Sequence, residues 1–327
     1  MRGAAVSRLR VGVVGTGFIA GRHLAALAGF DDVEVVAVAD AVPARAEEAA
    51  ARSGARPHPD GIALLETEEL DAVWLCVPPF AHGPLEAAAI ARGLPFFVEK
   101  PLGPDLATAE AIGAEVAAAG PTTAVGYHWR HLGLVHRAQE LLRDRPVQLV
   151  TGAWLDRTPG APWWSRRAAS GGQVVEQTTH LFDLARLLAG EVDTVAAVER
   201  AAPEGDVPAA STTLLTFASG AVGSISSARV LGRRHSVGLE LVTEGLAVQV
   251  TERGLADHEL RVSGADGEET TGSAEDPIAV EDREFLDVLL GAAPGVWVPY
   301  AEGLRSHTLA CAADRAGREG RPVRLGG

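Results

Sequence analysis

Four groups of residues in this chain have the types and spacing that chemistry needs. The first is a glycine-rich turn, Gly15-Thr16-Gly17-Phe18-Ile19-Ala20, lying between an apolar run and a helical one. Asp40 follows it about 20 residues on, at the end of the next apolar run. Gly15 permits the tight turn, Gly17 lets a pyrophosphate approach the backbone, and Ala20 stands where a third glycine is usual. The N–H groups opening the helix offer phosphates a partial positive charge. Asp40 can accept hydrogen bonds from an adenosine ribose, which favours NAD. Arg45 lies within reach of a 2′-phosphate and keeps NADP open.

The second group is Glu99-Lys100-Pro101. The chain has 29 basic residues, and Lys100 is the only lysine among them. Arginine keeps its proton near neutrality, whereas a lysine that is buried or crowded by cations can release it. The third group is Gly171-Gly172-Gln173-Val174-Val175-Glu176-Gln177-Thr178-Thr179-His180-Leu181-Phe182-Asp183. Its spacing predicts Glu176 and His180 on one face of a helix, with Asp183 a turn further. His180 would serve as a proton shuttle. A Glu-x-x-x-His pair can also hold a metal, but no third ligand follows at suitable spacing and His128 with His131 is only a loose cluster, so no metal is expected. The fourth group is aromatic and basic: Tyr127-His128-Trp129-Arg130, then Trp163 and Trp164 followed by Arg166 and Arg167. Indole faces can cover the C–H face of a sugar while arginines bind hydroxyls or an anion. Core packing is the competing role for either tryptophan.

The elements that must position these groups fall into two sets. From Leu9 to about Gly126, short β-branched runs (10–14, 33–39, 72–77, 95–98, 122–125) alternate with helical stretches (20–29, 43–53, 84–92, 107–119). Runs such as Val33–Val38 are almost continuously apolar, as strands covered on both faces require. Such alternation predicts an α/β, doubly wound parallel sheet. Beyond it the sequence predicts a helix over 134–142, a strand over 147–154 and a long helix over 172–188. Period-two runs follow: Thr213, Leu215, Phe217; Val237, Leu239, Leu241; Leu246, Val248, Val250. This reads as an α+β domain on an open, mostly antiparallel sheet, with one face covered by helices and the other wet or paired with another subunit. Closing helices are predicted over 278–290 and 301–317. The expected domains are 1–126 and 127–327, with the last helix free to pack back on the first.

Bulk composition narrows the partners. Hydrophobic residues make up 47% and charged residues 22%, which excludes a disordered chain. A net charge of -14 argues against nucleic acid and against an anionic membrane surface. Cys76 and Cys311 lie far apart and read as buried thiols of a reducing compartment. No apolar run is long enough to span a membrane and no leader is apparent in Met1–Arg10, so a cytoplasmic protein is expected.

With the glycine turn, Asp40, Val77-Pro78-Pro79-Phe80-Ala81-His82 and Glu99-Lys100-Pro101 in this order, the chain resembles the Gfo/Idh/MocA oxidoreductases from Leu9 to Leu325, including the closing Gly320-Arg321-Pro322-Val323. The resemblance implies a Rossmann domain that binds NAD through Gly15, Thr16, Gly17, Phe18, Ile19 and Asp40. It places Lys100 between nicotinamide and substrate, with Val77, Pro78, Pro79 and His82 lining the nicotinamide half and Glu99 bordering the ribose. His180 would be the acid/base, and Glu176 stands where aspartate is usual. His128, Arg130, Trp163, Trp164 and Arg167 become candidate contacts for a small polyhydroxylated substrate, a sugar or an inositol, in a homodimer or homotetramer. Two rival roles stay open: a non-catalytic dinucleotide-binding regulator, and an enzyme using tightly held NAD transiently for glycoside cleavage or coupled sugar oxidation and reduction.

Overall fold

A computed structural model describes residues 8–326. The segment through Ser7, part of the stretch read as lacking a leader, lies outside the described residues. The chain divides into two compact units. One holds the described residues through Gly103, with Ala107–Gly126 and Ile278–Leu304; the other holds Pro104–Leu106, Tyr127–Pro277 and the chain from Arg305.

The first unit is built on a six-stranded parallel sheet. Its strands are β1 (Leu9–Val14), β2 (Val33–Ala39), β3 (Arg56–His58), β4 (Ala72–Leu75), β5 (Phe96–Val98) and β6 (Thr123–Val125), in the order β3-β2-β1-β4-β5-β6. The order reverses on either side of β1, the doubly wound arrangement that places ligands beyond the strands' carboxyl ends. Val11, Val13, Val73, Trp74, Phe96 and Val98 are wholly buried, which is why these strands read as unbroken apolar runs. The sequence missed β3 and the short helix Gly61–Thr67. Strand β4 ends at Leu75, two residues before the expected end. Helix Pro277–Leu289 belongs to this unit from Ile278 on and packs Phe285 against Trp74 (ring centroids 5.4 Å apart) and Phe97 (6.1 Å).

The second unit carries a nine-stranded sheet. Its strands are β7 (Leu149–Leu155), β8 (Val192–Arg200), β9 (Ala210–Phe217), β10 (Val222–Ala228), β11 (Ser236–Thr243), β12 (Leu246–Gly254), β13 (Asp257–Gly264), β14 (Gly267–Ser273) and β15 (Val323–Arg324). The order is β14-β13-β12-β11-β7-β10-β9-β8-β15, antiparallel throughout except for β7 beside β10. One face buries the residues at alternate positions, Thr213, Leu215, Phe217, Val237, Leu239, Leu241, Val248 and Val250, under helices Gly133–Leu142 and Thr179–Ala189. The other face exposes Leu149, Val198, Leu214 and Val222.

The long helix expected over 172–188 is two helices, Gly172–Glu176 and Thr179–Ala189, parted at Gln177–Thr178. Thr178 N–H bonds to Gln173 O at 3.0 Å, one residue further back than an α-turn reaches, and His180 N–H bonds to Gln177 O at 3.3 Å. The shift in register means that Glu176 and His180 do not share a helix face. Gly171 and Gly172 both take positive φ, +75° and +82°, where a side chain would be strained. A Cβ on Gly171 would also lie 2.7 Å from Val175 Cγ1.

Candidate active site

In the first unit, β1 runs into the glycine turn and helix Phe18–Leu27 leaves it, with Gly17 as its N-cap. Gly15 has φ +83°, and a Cβ there would meet Cys76 O at 2.3 Å, so only glycine closes the turn. Nothing lies within 4 Å of a Cβ built on Gly17, and Phe18 is 77% exposed. The first helical N–H groups therefore open onto solvent, the cradle a pyrophosphate requires. At the end of β2, Asp40 Oδ2 accepts from the backbone N–H and the hydroxyl of Thr16, both at 2.9 Å, and Oδ1 accepts from Val42 N–H at 2.8 Å. The carboxylate is thus fixed beside the turn. Arg45 stands exposed on helix Pro43–Ser53.

Beyond β4 the chain passes Val77 and Pro78 into a single 3-10 turn, Pro79–Ala81, and reaches His82. His82 Nδ1 lies 2.5 Å from Glu86 Oε1, and Glu86 Oε2 accepts from Gly83 N–H at 2.7 Å. Burial alone would raise the Glu86 carboxyl, but the His82 ring and the backbone donors outweigh it and hold Glu86 below the usual carboxylate range. Strand β5 leads directly into Glu99 and Lys100. Glu99 Oε2 accepts the backbone N–H of Lys100 at 3.0 Å, and Oε1 lies 3.1 Å from His23 Nε2. The Glu99 side chain, expected at the ribose, is therefore engaged inside the protein. His23, Glu281 and Asp282, which surround it, escaped the sequence reading. Each stands on an otherwise apolar helical stripe, beside Ala20 and Leu27 or Ile278 and Phe285, and that misfit was the available signal.

In the second unit, His180 opens helix Thr179–Ala189 and sits among aromatic rings. His128 lies 4.6 Å away by ring centroid, Trp154 5.9 Å, Tyr127 6.0 Å and Trp129 6.3 Å. Trp129 Nε1 donates to Glu252 Oε2 at 3.0 Å. Arg234 pairs with Glu252, bonds Asp156 Oδ2 at 2.9 Å and lies 5.5 Å over the Trp154 ring. Sequence reasoning missed Trp154, Asp156, Arg234 and Glu252 at this place, since three separate stretches of chain bring them together. Among the described residues, the buried Trp154 Nε1 and Thr178 Oγ1 have no hydrogen-bond partner.

Two expected substrate contacts are engaged elsewhere. Arg130 forms a buried bidentate pair with Asp183, Nε–Oδ2 2.7 Å and Nη2–Oδ1 2.6 Å, and Ser306 Oγ donates to the same Oδ1 at 2.5 Å. Arg167 binds Glu199 at 3.1 Å and Asp314 at 3.1 Å. Burial raises both of those carboxyls despite the arginine. Trp164 is buried and donates to Glu176 Oε2 at 2.6 Å, while Trp163 is half-buried. The donor cluster among the described residues with metal-like spacing is His23, Glu99 and Glu281, not the Glu176–His180 stretch.

Comparison with known proteins covers both units. Residues 9–127 match the family described as oxidoreductase family, NAD-binding Rossmann fold, and residues 145–267 match the GFO/IDH/MocA C-terminal domain. Inositol 2-dehydrogenase 4 of Saccharopolyspora erythraea is 32% identical over 262 residues, 76% of each chain. D-apiose dehydrogenase of Paraburkholderia graminis is 28% identical over 288 residues, 84% of this chain and 75% of that one. Levoglucosan dehydrogenase in complex with NADH shares the fold, with a TM-score of 0.88, 21% identity, and coverage of 98% of this chain and 100% of that chain.

Proposed function

The chain belongs to the Gfo/Idh/MocA family of NAD-binding oxidoreductases, and on that premise we propose that it oxidises a secondary alcohol of a sugar, inositol or related polyol, and reduces the ketone in reverse. The observation that carries this reading is the position of the only lysine. Lys100 stands at the carboxyl end of β5, in the sheet whose β1 opens into the glycine turn. Relatives named for inositol and apiose support the substrate class.

The glycine turn and Asp40 fit a dinucleotide, and bound NAD supplies the hydride acceptor. His180 takes the proton of the substrate hydroxyl as the carbinol C–H bond breaks, and returns it in reduction. Lys100, as an ammonium, donates to the carbonyl oxygen in the reductive direction. Trp154 Nε1 and Thr178 Oγ1 are buried groups suited to substrate hydroxyls. His128 borders the same rings, whereas Arg130 and Arg167 hold the frame through their carboxylates. Glu176 orients the loop that carries Trp164.

The first unit thus serves the cofactor and the second the substrate. Asp40 selects NAD over NADP. The apolar, exposed sheet face with Leu214 and Val222 pairs two copies of the chain as a homodimer, or as half of a homotetramer. Cys76 and Cys311 form no disulfide, which accords with a cytoplasmic enzyme, and no described helix is long and apolar enough to cross a membrane.

The test is a spectrophotometric screen of sugars and inositols with NAD and NADP separately. Lys100→Met should lower turnover by roughly a thousandfold while leaving the NAD dissociation constant within about threefold. Turnover like that of the unaltered enzyme in this variant defeats the assignment.

A further inference from the structure

Glu99 is held from inside the first unit by a cluster that the hydride reaction does not itself use. His23, on helix Phe18–Leu27, is fully buried. Its Nδ1 lies 2.8 and 3.0 Å from the two carboxylate oxygens of Asp282, and its Nε2 lies 3.1 Å from Glu99 Oε1. Trp74 Nε1 fixes Asp282 from another side, donating to Oδ1 at 2.8 Å. Glu99 in turn accepts the Lys100 backbone N–H on its second oxygen. An unbroken chain of bonds therefore runs from Asp282 through His23 and Glu99 to the main chain of Lys100.

Both nitrogens of His23 face carboxylate oxygens. A neutral ring would turn one lone pair against an acceptor, whereas an imidazolium donates at both. Geometry therefore assigns His23 the charged form. Burial opposes this, but the Asp282 charge leads the contributions that raise its pKa well above the ordinary value, and the bonds to Asp282 and Glu99 add to them. The other titratable neighbours are Glu281, Cys76 and, further along the helix, Glu284. Glu281 is 2% exposed, and its oxygens have no hydrogen-bond partner among the described residues. Burial and then the Glu99 charge raise its carboxyl well above the usual range, so it is neutral. Cys76, pushed up to about 12 by burial, is a neutral thiol. One imidazolium thus faces two carboxylates, Asp282 and Glu99.

We propose that His23 is a positioning residue for the reaction: its imidazolium, braced by Asp282, fixes Glu99 and through it the backbone from which the Lys100 side chain projects. The proposal rests on the reading of Lys100 given above. It also links two parts of the site, because the helix that carries His23 begins at the glycine turn. A carboxylate-braced histidine can alternatively orient a metal ligand, and the donor atoms of His23, Glu99 and Glu281 lie within 4.8 Å of one another. The Nε2–Glu99 separation is already that of a direct hydrogen bond, which favours the proton.

The single lysine makes this testable without turnover. Protein labelled with 15N-lysine gives one lysine amide signal, that of Lys100. In His23→Leu that signal should shift and its hydrogen exchange should quicken by roughly tenfold or more, the loss expected for a charged hydrogen bond. His23→Gln keeps one side-chain donor and should fall between. Glu281→Gln, which mimics the neutral acid, should leave the signal in place. Where polyol turnover is measured, His23→Gln should lower kcat while leaving KM for NAD within about twofold. If His23→Leu does not fold, the ring nitrogens of the 15N-histidine-labelled native protein decide: one histidine should remain doubly protonated at about pH 8 and vanish in His23→Gln. An unchanged Lys100 amide in folded His23→Leu, a displaced one in Glu281→Gln, no protonated histidine, or a stoichiometric metal in the purified protein each overturns the proposal. A responsive amide in a protein that oxidises no polyol keeps the anchoring and removes the activity assigned to Lys100.

Discussion

Trp164 donates its indole N–H to Oε2 of Glu176 at 2.6 Å, and this bond ties the loop before Gly171 to the short helix that precedes His180. Trp164→Phe keeps the ring and deletes the donor, leaving the carboxylate without its indole. The expected loss is about 1.5–3 kcal/mol in urea unfolding, as for a hydrogen bond to a charged acceptor. Glu176→Gln still offers an oxygen to Trp164 and should keep more than about a tenth of the turnover if Glu176 orients and does not transfer protons. A loss of activity as deep as that of Lys100→Met would give Glu176 a direct part in the chemistry.

The proposed role of Asp40 in the choice of dinucleotide is open to direct test. Asp40→Ser removes a carboxylate that a 2′-phosphate would meet and a partner that the adenosine ribose needs. KM for NAD should rise about tenfold, and the ratio of kcat/KM values should move towards NADP, with Arg45 exposed nearby. Steady-state kinetics with both cofactors checks it.

The first sheet was legible because strands buried on both faces write continuous apolar runs, as Val33–Val38 does. Strand β3 was not, since three residues with a proline carry no periodicity. The break at Gln177–Thr178 was invisible because a shift in hydrogen-bond register leaves the apolar pattern on both sides intact. Among the candidate residues, the glycine turn and Asp40 came from spacing alone. Arg130 and Arg167 were read as substrate contacts because their carboxylate partners, Asp183, Glu199 and Asp314, are set by folding and not by neighbourhood in the chain.

Acid should weaken the first unit through Glu68. Arg56, and after it His58, lower the Glu68 carboxyl from 4.5 to about 2. A folded value below the unfolded one means that the charged form stabilises the fold above about 4.5, and that this contribution fades as pH falls towards about 2. Glu68→Gln should therefore unfold at lower urea than the unaltered protein at pH 6, and the gap should close on approaching pH 2. A gap independent of pH would show that the pairing contributes nothing.

The exposed sheet face can be tested by charge. Leu214 is 57% exposed, and Val222 and Val198 lie on the same side of neighbouring strands. Leu214→Glu should reduce the mass measured by light scattering to that of a single 33.9 kDa chain while leaving the circular dichroism unchanged. An unaltered mass would move the contact between copies elsewhere.

Strand β7 lies between β10 and β11, both of which follow it by a long stretch of chain. Everything from Asp156 to Ala221, including both helices around His180, must be made before β7 gains its first neighbour. During synthesis β7 therefore waits as an unpaired apolar segment, and a chain halted before β10 exposes it to aggregation. The residues around His180 acquire their frame late, when the centre of the sheet zips shut. Premature termination or a slowed ribosome in this stretch should accordingly leave β7 open to chaperones and proteases.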